Sequence, residues 1–302
     1  MESKIEILKT PNIIKKAHTK FEIEDKILEE IINNFAYVLE RELLRENLVL
    51  FYNNLSTLKV DNKIVLGSQK ANIFNKNIVV GYYLLDENII SVLPLGKSKY
   101  LTISTEEYIA IVCHELLHMS SSVVDKEKRI SFSGFSQISD NNEIGIALDD
   151  AYTEILAHRY FNLNPNYMSY DYEIIISTLI EDIVGKDKMT NLYFNANLFD
   201  LVSALQKYNS RASIIKFLDN LESIYVLRDQ KIGYKKDIIY YHNEISKFIV
   251  KIYQNKLNSD LINEVITKIE YNKRLDDCFN NIHMAFEKLN VVKKRKRRNI
   301  NE

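Results

Sequence analysis

Turn-forming residues are scarce in this chain, with seven glycines and three prolines among 302 residues. Tight turns consume both, and helix interiors tolerate neither well, so the scarcity predicts a fold built mainly of helices. The periodicity agrees. Leu28, Ile31, Ile32, Phe35, Leu39 and Leu43 recur at helical spacing, which predicts one or two helices over residues 22–55. Segments 63–66, 78–85, 89–95 and 100–103 are instead rich in Val, Ile, Tyr and Leu and are separated by Asn, Asp, Gly or Lys, as strands are. Residues 129–138, with Gly134 inside, predict a further strand pair. From residue 142 onward the pattern is helical, in segments 170–184, 190–208, 211–226, 235–256, 259–272 and 275–290, with Gly185 and Gly233 as breakers. The expected fold class is α+β and predominantly helical, a small sheet in the N-terminal half being followed by an all-helical C-terminal half. The expected division is a core of sheet and site-bearing helices over 1–162, a helical subdomain over 163–290, and a basic disordered tail over 291–302.

One pentapeptide carries chemistry: His114-Glu115-Leu116-Leu117-His118. Ser104 and Glu107 have the spacing of a capping box, so a helix is expected to start there and to run past the motif without Gly or Pro. Ile109, Val112, Cys113, Leu116 and Leu117 supply its apolar positions. On that helix His114 and His118 project from one face, one turn apart. This is the spacing at which two imidazoles bind one Zn²⁺, with Glu115 beside them to take a proton from water. Polar groups on an apolar helix are costly to bury without partners. A metal ion is one such partner, and a hydrogen-bonded pair of core histidines is the plainer one.

A catalytic zinc site takes three protein ligands and leaves a position open. The segment Leu148–His158 is the best source of the third. It reads as a helix, with Asp140 and Glu143 as a possible capping box, and Glu143, Ala147, Asp150, Glu154 and His158 fall along one face. Such a row of acids and a histidine on an amphipathic helix points to a bound partner. A solvated acidic face is the plainer reading, above all for Glu143 and Asp149.

The pairing of His-Glu-x-x-His with a downstream acid-bearing helix resembles the gluzincin group of zinc metallopeptidases, over residues 78–162. The resemblance implies His114 and His118 as metal ligands, Glu115 as general base, and one Zn²⁺ per chain. It places Asp150 at the position of the family's glutamate ligand and Glu154 at that of an acid supporting a zinc-binding histidine, with Glu154 the alternative ligand. Asp149-Asp150-Ala151 stands where Asn-Glu-Gly is expected, and aspartate is one methylene shorter, so the helices must sit closer. The separation between the motifs is also longer than in compact members. The resemblance implies a sheet packed on the motif helix, with an edge strand that holds extended peptide. It implies hydrolysis of peptide bonds, with a peptide or protein as substrate. A Tyr or His from the C-terminal half would then stabilise the oxyanion, and Tyr240, Tyr241 and His242 form one candidate cluster. Two alternatives stand beside this reading. One is a regulatory metalloprotease that cuts a specific protein such as a repressor. The other is a metal-binding protein without activity on the same scaffold.

Charge and composition set the remaining expectations. The formal net charge is −1, so the chain without Lys293–Arg298 carries about −7. That basic run is expected as a solvated tail, with nucleic acid or an anionic membrane surface as possible partners. Cys113 and Cys278 make no disulfide framework, and Cys113 is expected to be a small buried residue. The polar start Met1-Glu2-Ser3-Lys4 has no apolar leader and no stretch is long and apolar enough to span a bilayer, so a cytoplasmic location is expected.

Overall fold

The computed structural model describes residues 26–61, 81–92, 96–97, 102–139, 142–163, 170–229 and 235–298. Helix α1 (Lys26–Glu42) leads through a short 3₁₀ turn (Arg45–Asn47) into α2 (Leu48–Leu55). Strands β1 (Lys59–Asp61), β2 (Gly81–Leu84) and β3 (Ile89–Val92) follow, then the pair β4 (Gly96–Lys97) and β5 (Thr102–Ile103). Helix α3 (Thr105–Ser120) carries the pentapeptide. A meander of β6 (Ser122–Asp125), β7 (Ile130–Ser133), β8 (Ser136–Ser139) and β9 (Asn142–Ile144) connects it to α4 (Ile146–Phe161). The rest is helical: α5 (Asp171–Val184), α6 (Lys186–Phe194), α7 (Leu198–Leu205), α8 (Arg211–Asp229), α9 (Lys235–Ile262) and α10 (Lys268–Arg298). The fold is thus α+β and predominantly helical, as the sparse glycine and proline content predicts.

Helix α3 begins where the capping box places it, with Ser104 Oγ accepting the Glu107 N–H at 3.2 Å. Its last carbonyls are met by the hydroxyls of Ser120, Ser121 and Ser122 and, beyond them, by a side chain of another helix. Asn54 on α2 donates its amide to the carbonyls of Met119, at 2.7 Å, and Ser122, at 2.8 Å. Strand order in the first sheet is β1-β3-β2, with β1 parallel and β2 antiparallel to β3, so among the described residues β2 lies at an edge. This sheet packs on α3, as expected of a sheet preceding the motif helix. One apolar core runs from Phe35 and Phe51 through Leu116 and Tyr152 to Ile180, Phe217 and Ile249.

Several expectations change. The strand expected at 63–66 lies outside the described residues, as do 78–80, 93–95 and 100–101, the outer parts of three further segments, and the breaker Gly233. The predicted strand pair is β7 and β8, but it is the middle of a four-stranded meander that reaches Ile144. Helix α4 therefore starts later than the acid spacing suggests. Asp140 lies outside the described residues, Glu143 is an exposed residue of β9, and the chain turns into α4 at Gly145, with φ +84°. Only glycine fits there, because an added Cβ would stand 2.2 Å from the Phe135 carbonyl oxygen. The expected helix over 190–208 is two helices, broken at Asn195–Asn197, where Ala196 has φ +50°. The expected break near 257 is absent because no Gly or Pro interrupts α9. Helix α10 likewise continues through the basic run to Arg298, where a disordered tail is expected from charge alone. Lys and Arg are good helix formers, and a helix already nucleated is cheap to extend.

Candidate metal centre

Two helices that pack side by side build the site. Helix α3 supplies His114, Glu115 and His118, and α4 supplies Asp149, Asp150 and Glu154. The imidazole Nε2 atoms of His114 and His118 face one another at 3.0 Å. Asp150 Oδ1 lies 3.4 Å from His118 Nε2, and one donor atom from each of His114, His118 and Asp150 falls within 4.8 Å of the others. Donors bonded at about 2.0–2.1 Å to a tetrahedral zinc stand roughly 3.3 Å apart. The three residues therefore fit the ion in type and spacing.

The far side of each imidazole meets a carboxylate. Asp149 Oδ2 lies 3.2 Å from His118 Nδ1, and Glu154 Oε1 lies 3.5 Å from His114 Nδ1. Both contacts favour the tautomer with hydrogen on Nδ1, which turns the Nε2 lone pairs toward each other. Two lone pairs at this separation repel unless a cation or proton lies between them. His114 Nδ1 is buried and makes no hydrogen bond, so its contact with Glu154 is loose.

Asp149 is the residue that sequence reasoning misplaced. It is buried rather than solvated, and its Oδ1 accepts the Phe135 N–H at 2.8 Å. Gly134, with φ +48°, leaves the space, since a Cβ there would stand 2.0 Å from Asp149 Oδ1. Asp150 is held from the opposite side. Tyr225 on α8 donates its hydroxyl to Asp150 Oδ2 at 2.6 Å. The Tyr170 ring stacks between His114, centroids 6.2 Å apart, and Tyr225, at 5.8 Å. Nothing in sequence spacing marks Tyr170 or Tyr225 among nineteen tyrosines.

Electrostatics follow from burial. Burial and the neighbouring His118 push His114 down to about 3. Burial also disfavours the charged form of His118, but Asp149 and Asp150 outweigh it and hold its pKa well above the usual range. Burial raises Asp149, whereas the contacts of Asp150 with His118, His114 and Tyr225 overcome burial and lower it. Burial pushes Glu115 up to about 7, against the opposing effects of His118 and a Tyr83 N–H bonded to its carboxylate.

These groups line an open cleft of about 310 Å³. One wall is the edge strand β2 with Gly81, Tyr82 and Tyr83, another holds Ser133, Ser136, Ile138 and Ile146, and Tyr170 and Tyr225 complete it. Strand β2 comes close to Glu115, for a Cβ on Gly81 would stand 3.3 Å from Glu115 Oε1.

The candidate oxyanion cluster is elsewhere. Tyr240 is exposed, Tyr241 belongs to a separate groove, and His242 is buried against Tyr172, Ser246 and Phe286. Glu143 and His158 do not line the cleft. Cys113 is buried, as its position off the ligand face implies. Among the described residues no helix is long and apolar enough to cross a membrane. Comparison with known families, curated proteins and solved structures gives no match to this chain.

Proposed function

We propose that this chain is a zinc-dependent peptidase. One observation carries the reading: His114 Nε2, His118 Nε2 and Asp150 Oδ1 converge, backed by carboxylates, in an open cleft that also holds Glu115. A zinc ion held by these residues would polarise a scissile carbonyl and acidify a water molecule. Glu115 takes the proton from the attacking water and returns it to the leaving amine nitrogen as the C–N bond breaks. Asp149 favours the His118 tautomer that leaves Nε2 free to bind, and Glu154 lies behind His114 in a looser contact of the same kind. Tyr225 keeps Asp150 ionised and aligned, and Tyr170 presents a second phenol on the same wall. The edge position of β2 among the described residues supports a peptide substrate, because a sheet edge beside Glu115 can hold an extended chain by strand addition.

The deciding experiment is cleavage profiling on a peptide library with wild type, with chelator-treated protein, and with Glu115→Gln. The expected result is cleavage by wild type alone, restored to the chelated sample by zinc. Cleavage that survives both chelation and the substitution would overturn the proposal.

A further inference from the structure

Helix α4 begins without a cap of its own. Its N-cap residue is Gly145, which has no side chain to accept an N–H from the first turn. The missing acceptor comes from 75 residues away: Glu222 on α8 accepts the Ala147 N–H at 3.1 Å. Three residues further along the same helix, Tyr225 holds Asp150 Oδ2. Another three residues on, Arg228 pairs with Glu173, which is fully buried on α5. At this spacing the three side chains fall close together along one side of α8. Glu222 takes its place against like charge, because Asp150, Glu143 and Glu173 all raise its pKa beyond what burial does. The positive end of the α4 dipole and the Ala147 N–H favour a carboxylate there.

We infer that Glu222 is a positioning residue for the metal centre: it fixes the first turn of α4, and thereby the directions in which Asp149 and Asp150 leave the helix. The inference rests on the proposed metal site. Asp149 closes the first turn, the one that frays first when a helix end loses its cap, and Asp150 follows it directly. Tyr225 alone anchors one oxygen of Asp150. It does not fix the backbone from which Asp149 and Asp150 diverge.

The test uses the full chain in four forms: wild type, Glu222→Ala, Glu222→Gln and, as a control, Asp219→Ala, an exposed acid of the same helix. The first measurement is amide hydrogen exchange over residues 145–150 in metal-free protein. Exchange should accelerate in Glu222→Ala and stay near wild type in Glu222→Gln and Asp219→Ala, since the glutamine oxygen still accepts the N–H. The second is zinc affinity by competition with a chromophoric chelator, with Co²⁺ absorption reporting the ligand geometry. Glu222→Ala should bind zinc about 10–100-fold more weakly, the range typical of a lost supporting contact. Glu222→Gln should stay within roughly threefold, because a neutral acceptor preserves most of the bond. Unchanged exchange in Glu222→Ala overturns the inference outright. Faster exchange with unchanged zinc affinity and an unchanged Co²⁺ spectrum also overturns it, leaving Glu222 as a helix cap without bearing on the ligands. A wild type that takes up neither ion overturns the metal reading and, with it, a positioning role toward a metal, and the exchange data then say whether the anchor itself exists.

Discussion

Asp149 Oδ2 faces His118 Nδ1 at 3.2 Å, while the other oxygen of the same carboxylate accepts the Phe135 N–H at 2.8 Å. Both oxygens therefore meet a donor, which only an ionised carboxylate can satisfy. An asparagine side chain in its place would present an NH₂ group to one of them. Asp149→Asn should therefore weaken zinc binding about 10–100-fold without unfolding the chain. Competition titration with circular dichroism checks it, and wild-type affinity would remove Asp149 from the site.

Glu115→Gln separates binding from chemistry. The amide cannot take a proton from water, and Glu115 is not among the converging donors, so metal content should stay near one zinc per chain. Turnover of a cleavable peptide should fall by roughly 10²–10⁴ or more. Elemental analysis and kinetics on one preparation make the check.

Asp150 and Glu154 should differ in kind. Asp150→Ala removes a donor atom of the cluster and strands the Tyr225 hydroxyl, so the protein should be largely metal-free. Glu154→Gln loosens a 3.5 Å contact behind His114 and should cost no more than about 10–100-fold in affinity. The reverse order would make Glu154 the ligand.

Gly134→Ala tests the loop that lets Asp149 in. The backbone is left-handed there, with φ +48°, and the new Cβ would stand 2.0 Å from Asp149 Oδ1 and 2.4 Å from Tyr193 Cε2. Overpacking of this kind typically costs about 1–3 kcal/mol, and the unfavourable φ adds to it. Urea unfolding should show the loss, and zinc affinity should fall with it as Asp149 is displaced.

A pH effect is expected outside the cleft lining. Burial lowers His242 to about 4, from about 6.5 unfolded, between Tyr172, Ser246 and Phe286. Between those values the unfolded chain binds the extra proton. The contribution of His242 is thus fully present above pH 6.5 and is lost as pH falls toward 4. His242→Gln should flatten the fall in Tm over that interval relative to wild type. Parallel Tm curves for the two proteins would refute it.

What the sequence determined by itself is local. The i, i+4 spacing of His114 and His118 puts two imidazoles on one helix face, and the Ser104–Glu107 pair starts that helix where it does, because both depend only on residues within a turn or two. The scarcity of glycine and proline likewise sets the helical bias, since it acts residue by residue along the chain. The role of Asp149 was not legible in this way. Spacing puts Asp150 on the face it shares with Glu154 and leaves Asp149 to solvent, because periodicity along one helix does not show what packs over the next residue. Tertiary packing decides both roles. The Phe135 N–H and His118 Nδ1 claim Asp149, and Tyr225 on α8 turns Asp150 toward the Nε2 pair. Glu143 shows the same limit from the other side: its spacing suggests a helix start, but the meander pairs it with Ile138 in a strand. Tyr170, Tyr225 and Glu222 lie outside both motifs. Their contacts with the site arise from the docking of α8 and the start of α5 against α3 and α4, which no periodicity within either segment encodes.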